Sequence, residues 1–362
     1  MAVSISQISF EHHRDALGIH ETKPRISWRF EGNYPNWTQR AYSLEISRPG
    51  IKIPENFLIK SPDSVLVPWP TVQLNPGEAA VVRARALGND GQPNTEWSKP
   101  ATVEIGLLTE EDWMGAMPIG SAIGADINAP KQGVYFRKEF AIDTNIQSAR
   151  LYITAFGMYE AEINGKRVGD AVLAPGWQSY SNRHVYDTYD ITKHIKRGNN
   201  VVGFIIGEGW YSGRFGFNGG KRNIWGDPIG ALALLAVTYE NGTKATLPSD
   251  LTWKSTAGPI ISSNIYDGET YDSRLELPGW STTGYNTASW TGVRPISWPK
   301  GRLVAADGPP IRRVQEKRLE NVINTPSGKI VLDFGQNLVG WVRLSVQGPN
   351  GTTITLKHAE GK

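Results

Sequence analysis

Apolar and polar residues alternate along most of this 362-residue chain with a period of two, the pattern of strands that bury one face. In the first hundred residues RISWRF (25–30), YSLEIS (42–47), VVRARAL (81–87) and ATVEI (101–105) read as short strands, parted by turns such as Asn89-Asp90-Gly91. Residues 1–105 are therefore expected to form a fibronectin type III or immunoglobulin-like sandwich. The stretch GLLTEEDWMGAM (106–117) carries the one modest helical signal, with Thr109 as a candidate N-cap and acidic residues in the first turn.

The strand pattern resumes at residue 133. VYFRKEFAI, ARLYITAFGMYEAEING, HVYDTYDIT, VVGFIIG, IGALALLAVTYENG and LTWKSTAG follow one another, with Asn164-Gly165 and Asn241-Gly242 as turns. Residues 106–305 predict a larger sandwich, a jelly roll. The apolar run IGALALLAV (229–237) suits a buried strand and is too short to span a membrane. Beyond GPPIRR (308–313), KIVLDFGQNLVGWVRLSVQG and GTTITLKHAE read as strands of an incomplete third sandwich over residues 306–362, a length small for an independent core. The fold class is all-β, with three sandwiches in tandem.

Composition narrows the chemistry. Thirty-nine glycines, 23 prolines and 13 tryptophans fit a turn-rich β protein. A net charge of +3 without a Lys/Arg run lacks the electrostatic footprint of a nucleic-acid binder. The absence of cysteine removes disulfides, zinc–thiolate sites and thiol catalysis, and the six histidines form no HExxH pattern. The N-terminus shows no basic start followed by an apolar stretch, so a cytoplasmic location is expected, with secretion left open. Homo-oligomerisation is compatible with this composition.

One segment stands apart from the alternation. GEGWYSGRFGFNGGKRNIWGD (207–227) holds seven glycines, three basic residues and two carboxylates, with aromatics between them. Aromatic faces stack on sugar rings, amides and charged groups hydrogen-bond hydroxyls, and glycines let the backbone come close. Trp177, Trp210, Tyr211 and Trp225 are the candidate stacking faces; Arg214, Asn218, Asn223 and Asp227 are the candidate hydrogen-bonding groups. The alternative is a long loop that binds nothing, its aromatics filling gaps beneath it. The Gly207-Glu208-Gly209 fragment is not followed by the amphipathic helix of a dinucleotide fingerprint.

The ordered motifs LGI (17–19), PRISW (24–28), GLL (106–108), DW (112–113), LYITAFGMYEAEINGKRVGD (151–170), LAPGW (173–177), YDTYDIT (186–192), GEGWYSGR (207–214), IYDGETYDSR (265–274) and DFGQNLVGW (333–341) resemble the N-terminal half of microbial α-L-rhamnosidases of glycoside hydrolase family 78. The resemblance implies β-sandwich modules placed before an (α/α)₆ barrel that removes terminal α-L-rhamnose with inversion. It also implies rhamnosides or L-rhamnose as ligands and the barrel as a partner. The family's acid-rich catalytic motif has no match here. Inversion needs an acid and a base about 6.5–9.5 Å apart, and neither role is assigned to Glu208, Asp267 or Glu269 or to any other carboxylate. Glu208 is read instead as organising its own loop or facing the missing barrel.

Two further readings stay open beside that of a supporting region for an absent barrel: a free-standing rhamnose lectin, and a purely structural or dimerising scaffold. Asp267, Glu269 and Asp272 crowd into six positions, a density of hard oxygen that suggests calcium. The competing reading is an Asp267-Gly268 turn with Arg274 paired to a carboxylate.

Overall fold

The computed structural model describes residues 2–124, 126–216, 219–299 and 301–359, and the chain divides into two compact units. The first comprises residues 1–169 and 173–310, the second 170–172 and 311–362.

The first unit opens with a two-layer sandwich. Val3–Phe10 pairs with Ile26–Gly32 to make one layer. The other is a five-stranded sheet in the order Leu17–Ile19, Ala101–Ile105, Ala79–Gly88, Gln39–Ser47, Glu55–Ile59. Alternation decides the faces. Leu44, Ile46, Val82, Ala84 and Ala86 point into a core shared with Phe10, Ile26 and Trp28. On the opposite face Arg83 lies across from Glu45 and donates to it at 2.8 Å, a cross-strand pair of opposite charge.

The larger sandwich is a twelve-stranded sheet that carries both layers. Its order is Lys166–Arg167, Met158–Ile163, Gly198–Gly207, Val134–Ile142, Lys254–Ala257, Thr291–Pro295, Ile119–Ser121, Gly230–Tyr239, Ile146–Phe156, Arg183–Asp190, Arg302–Ala305, with Lys244–Pro248 beside Gly230–Tyr239. The apolar run foreseen at 229–237 is its buried axis. Ala231 to Leu235 are almost wholly enclosed, and the strand is paired with Ile146–Phe156 from Ala149↔Val237 to Phe156↔Gly230. Asn164 and Gly165, both with positive φ, turn the chain between Met158–Ile163 and Lys166–Arg167, as the Asn-Gly pair predicts.

The junction between the two sandwiches departs from the helical expectation. Only Glu111–Trp113 forms a 3₁₀ turn, and Thr109 does not cap it. Asp112 instead reaches back to accept the backbone N–H groups of Leu108 and Thr109 at 2.8 and 2.9 Å, while Trp113 is buried against Tyr186. Tertiary burial of one indole overrides a weak local propensity. Around it Tyr186 Oη accepts from Leu107 N at 2.7 Å and donates to Leu107 O at 2.8 Å. Arg150 grips the buried Glu104 with Nε and Nη2, each at 2.8 Å.

In the second unit the described residues form one hairpin, Asn321–Asn324 with Ile330–Asp333. The strands expected over 334–359 are not formed there. Their alternating residues, among them Val339, Trp341, Val346 and Ile354, are exposed; without a facing layer a strand has nothing to bury. No helix among the described residues is long and apolar enough to cross a membrane.

Candidate binding site

The glycine-rich segment leaves strand Gly198–Gly207, makes the single helical turn Gly209–Ser212 and then doubles back. Phe215 and Lys221 exchange both backbone hydrogen bonds at 2.8 Å. Gly220 has φ +49° and a methyl there would lie 2.3 Å from the Phe215 carbonyl oxygen, so only glycine fits. Beside this pair lies a cleft of about 470 Å³ lined by Arg214, Lys221 and Arg222, the amides Asn128 and Asn223, and Gly219-Gly220.

Buried charge supports the loop from beneath. Glu208 is completely enclosed, and its Oε1 accepts from Arg222 Nη1 at 2.5 Å while Oε2 has no hydrogen-bond partner among the described residues. Burial pushes the Glu208 carboxyl above its ordinary value, opposed by the Lys131 backbone amide and by the charges of Arg222 and Lys131. The buried Lys131 ammonium donates to Asn223 Oδ1 at 2.7 Å and pairs with Asp227 at 3.1 Å. Asn223, at φ +56°, donates in turn to Ile127 O at 2.7 Å. Two proposed ligand contacts, Asn223 and Asp227, are thus committed to holding the loop.

The aromatics separate by exposure. Tyr211 is buried among Phe156, Tyr180 and His184, and its ring serves the core. Trp177 is 59% exposed and lies parallel to Trp210, with centroids 6.5 Å apart and planes within 7°. Phe215 continues the surface from Trp177 at 5.4 Å, and Tyr266 follows at 5.5 Å. Trp225 sits apart, against Tyr180. Asn218 lies outside the described residues.

Arg214 joins the aromatic surface to the cleft. Its guanidinium lies 5.7 Å from the Tyr266 ring centroid and grips Asp267 through Nε, at 2.9 and 2.8 Å from the two oxygens, and through Nη2 at 2.5 Å. Hydrogen bonds from Arg214 and Asn264 hold Asp267 down at about 2. Asp272 is bound by Arg274 through Nε at 2.8 Å and caps the turn at Ser273–Leu275. Among the described residues no three His, Asp or Glu side chains converge as metal ligands, so Asp267, Glu269 and Asp272 do not assemble a calcium shell. The foreseen pairing of Arg274 with a carboxylate is made to Asp272, while Asp267 is taken by Arg214, a pair the sequence had not singled out.

Lys131, Arg222, Phe215 and Tyr266 belong to the site without having been singled out. Arg222 and Phe215 sat inside the segment already marked. Lys131 had no local signal, because a salt bridge across 96 positions leaves no periodicity to read.

Comparison with known proteins places these elements in one lineage. Residues 5–109 match the Rha78A-like N-terminal immunoglobulin domain, 144–315 the α-L-rhamnosidase N-terminal domain and 323–361 the bacterial α-L-rhamnosidase concanavalin-like domain. An α-L-rhamnosidase of Streptomyces avermitilis is 41% identical over 277 residues, covering 75% of this chain and 26% of that protein. One from Formosa agariphila is 31% identical over 367 residues, covering 97% and 39%. Among solved structures the Aspergillus terreus α-L-rhamnosidase superposes with a TM-score of 0.91 at 58% identity, over 94% of this chain and 39% of that one. The Streptomyces avermitilis enzyme solved with L-rhamnose shares the fold, with a TM-score of 0.81 at 24% identity, over 93% of this chain and 49% of that one. The chain spans from about a quarter to half of the length of these relatives. It belongs to the α-L-rhamnosidases of glycoside hydrolase family 78, of which it carries the N-terminal immunoglobulin-like and rhamnosidase N-terminal domains and part of the concanavalin-like domain.

Proposed function

We propose that this region braces the catalytic barrel of an enzyme that hydrolyses terminal α-L-rhamnosyl groups of glycosides, and that the 207–227 loop presents the rhamnoside. The observation that carries the second part is the exposed Trp177 indole, parallel to Trp210 and continued by Phe215 and Tyr266 up to the polar cleft. An exposed aromatic strip beside convergent polar groups is the arrangement that sugar recognition uses, rings for the apolar face and donors for the hydroxyls. The groups behind it are held by ion pairs, which lowers the cost of ordering them on binding.

Titration of the 362-residue chain with methyl α-L-rhamnoside, followed by calorimetry, tests the reading. Saturable heat is expected, and Trp177→Ala should weaken binding about tenfold, the loss typical of one aromatic anchor. Trp177 is exposed, so the variant should keep its melting temperature. No heat, together with no rhamnoside-induced shift in melting, would leave the bracing role alone. No release of p-nitrophenol from its α-L-rhamnoside is expected from this chain, since it lacks an assignable acid and base pair.

A further inference from the structure

We infer that Asn350 is a site of self-modification, its side-chain amide being displaced by the Gly351 backbone nitrogen, whereas the same Asn-Gly dipeptide is held back at Asn241 and blocked at Asn164. This chemistry is independent of any sugar. The reacting groups are identical at the three positions, so only their surroundings can separate them.

The reaction needs an amide carbon within reach of the following nitrogen, a nitrogen free to give up its proton, and room for both to move. Glycine supplies the freedom, having no Cβ to restrict the backbone or crowd the ring that forms. The Gly351 nitrogen loses its proton to hydroxide and attacks Asn350 Cγ. The N–Cγ bond forms, the Cγ–Nδ2 bond breaks, and Nδ2 leaves as ammonia after taking a proton from water. Water then opens the cyclic imide at either carbonyl, giving aspartate or isoaspartate. The sum is one water gained and one ammonia lost, with no oxidant or reductant.

The turns place the dipeptide differently. Thr352 N and Oγ1 donate to Pro349 O at 3.2 and 2.8 Å, closing the turn Pro349-Asn350-Gly351-Thr352. Gly351, at φ +87°, takes its third position, as glycine does in a type II turn. Such a turn is closed by the N–H of its fourth residue alone, which leaves the Gly351 N–H over. Neither that N–H nor the Asn350 side chain has a partner among the described residues. Both residues are exposed, and a methyl on Gly351 would meet nothing within 4 Å.

In the turn from Tyr239 to Thr243 the dipeptide is shifted by one position. Gly242 is now the fourth residue and its N–H donates to Tyr239 O at 2.9 Å, while Asn241 Oδ1 accepts Thr243 N at 3.0 Å and Thr243 Oγ1 at 2.7 Å. Asn241 is as exposed as Asn350, but its nucleophile is engaged. Asn164 is locked on every side. Its Nδ2 donates to His194 O at 2.9 Å and to Asn200 Oδ1 at 2.8 Å, its Oδ1 accepts Val201 N at 3.0 Å, and Gly165 N donates to Ser281 O at 3.1 Å. In a fourth pair, Asn218-Gly219, the asparagine lies outside the described residues.

Peptide mapping by mass spectrometry, on the 362-residue chain held in mildly alkaline buffer, tests the order. Asn350 is expected to convert first, to a mixture of aspartate and isoaspartate. Asn241 should follow about five- to tenfold more slowly, the cost of opening one hydrogen bond, and Asn164 should persist, because it reacts only through local unfolding. Gly351→Ala should slow Asn350 severalfold, since the added Cβ restricts the backbone. In denaturing urea the three rates should converge to within about twofold, because the turns that separate them are gone. An Asn241 that converts as fast as Asn350 in the folded chain, an Asn350 that keeps its amide there, or an order that persists in urea would each overturn the inference.

Discussion

At the scale of single residues, the decisive feature is charge placed where water is absent. Glu208 tolerates complete burial because Arg222 meets one of its oxygens; removing one partner of such a pair exposes the full desolvation cost of the other. Arg222→Met should therefore lower unfolding free energy by about 3–5 kcal/mol, measured by urea denaturation, and adding Glu208→Leu should restore most of it. A single-variant loss below about 1 kcal/mol would mean that Glu208 is already protonated. His184 makes a second case. Burial lowers its pKa to about 4, and its Nδ1 has no hydrogen-bond partner among the described residues. A base whose folded pKa is depressed contributes stability above its unfolded value near 6.5 and loses it as pH falls toward 4, a loss of roughly 3 kcal/mol. Asp187, raised to about 6 by burial against the opposing bond from Tyr159, has the reverse sign, its stabilisation being lost as pH rises through 6. The two nearly cancel between pH 6.5 and 4.5, so His184→Phe should make stability rise, relative to the parent, by roughly 2 kcal/mol as pH falls across that range, in urea titrations at the two pH values. Both residues were visible in the sequence, but their environments come from strands distant along the chain.

At the scale of elements, alternation located strands well wherever two layers enclose them. ATVEI (101–105) and VYFRKEFAI (134–142) occupy the strands foreseen, and the long run at 149–165 differs only by a break at Gly157, whose φ of +138° suits glycine. It failed where long-range contacts decide. The 106–117 segment follows Trp113 and Tyr186 rather than its helical propensity, and the binding loop takes its shape from Lys131 and Glu208, which no spacing rule connects. The two hydrogen bonds between Tyr186 and Leu107 make that junction testable. Tyr186→Phe keeps the ring and leaves a buried N–H and C=O without partners, a loss of about 2 kcal/mol. Differential scanning calorimetry should show a lower melting temperature, with the two sandwiches still unfolding in one transition because Arg150 and Glu104 remain. Unchanged melting would mean that water replaces the hydroxyl.

At the scale of the molecule, the order of motifs made the family legible, whereas the division into two units depends on what each can bury. The first unit encloses several buried apolar clusters behind paired strands. In the second, one hairpin of four-residue strands carries the described regular structure, and Val314 is 95% and Trp341 60% exposed. An isolated two-stranded hairpin is marginal in water, and exposed apolar side chains of this kind contribute no burial energy to offset the entropy of ordering the chain. Residues 311–359 should accordingly add little to the stability of the first unit. Deleting residues 311–362 is expected to leave its melting temperature within about 2 °C, a shift of well under 1 kcal/mol for a unit of this size. In the intact chain, amides of 311–359 should exchange within seconds while those of Gly230–Tyr239 and Ile146–Phe156 stay protected, since protection follows buried, fully paired strands. Slow exchange spread evenly across 311–359 would contradict this, because it would require a core that the exposed side chains of that unit do not form.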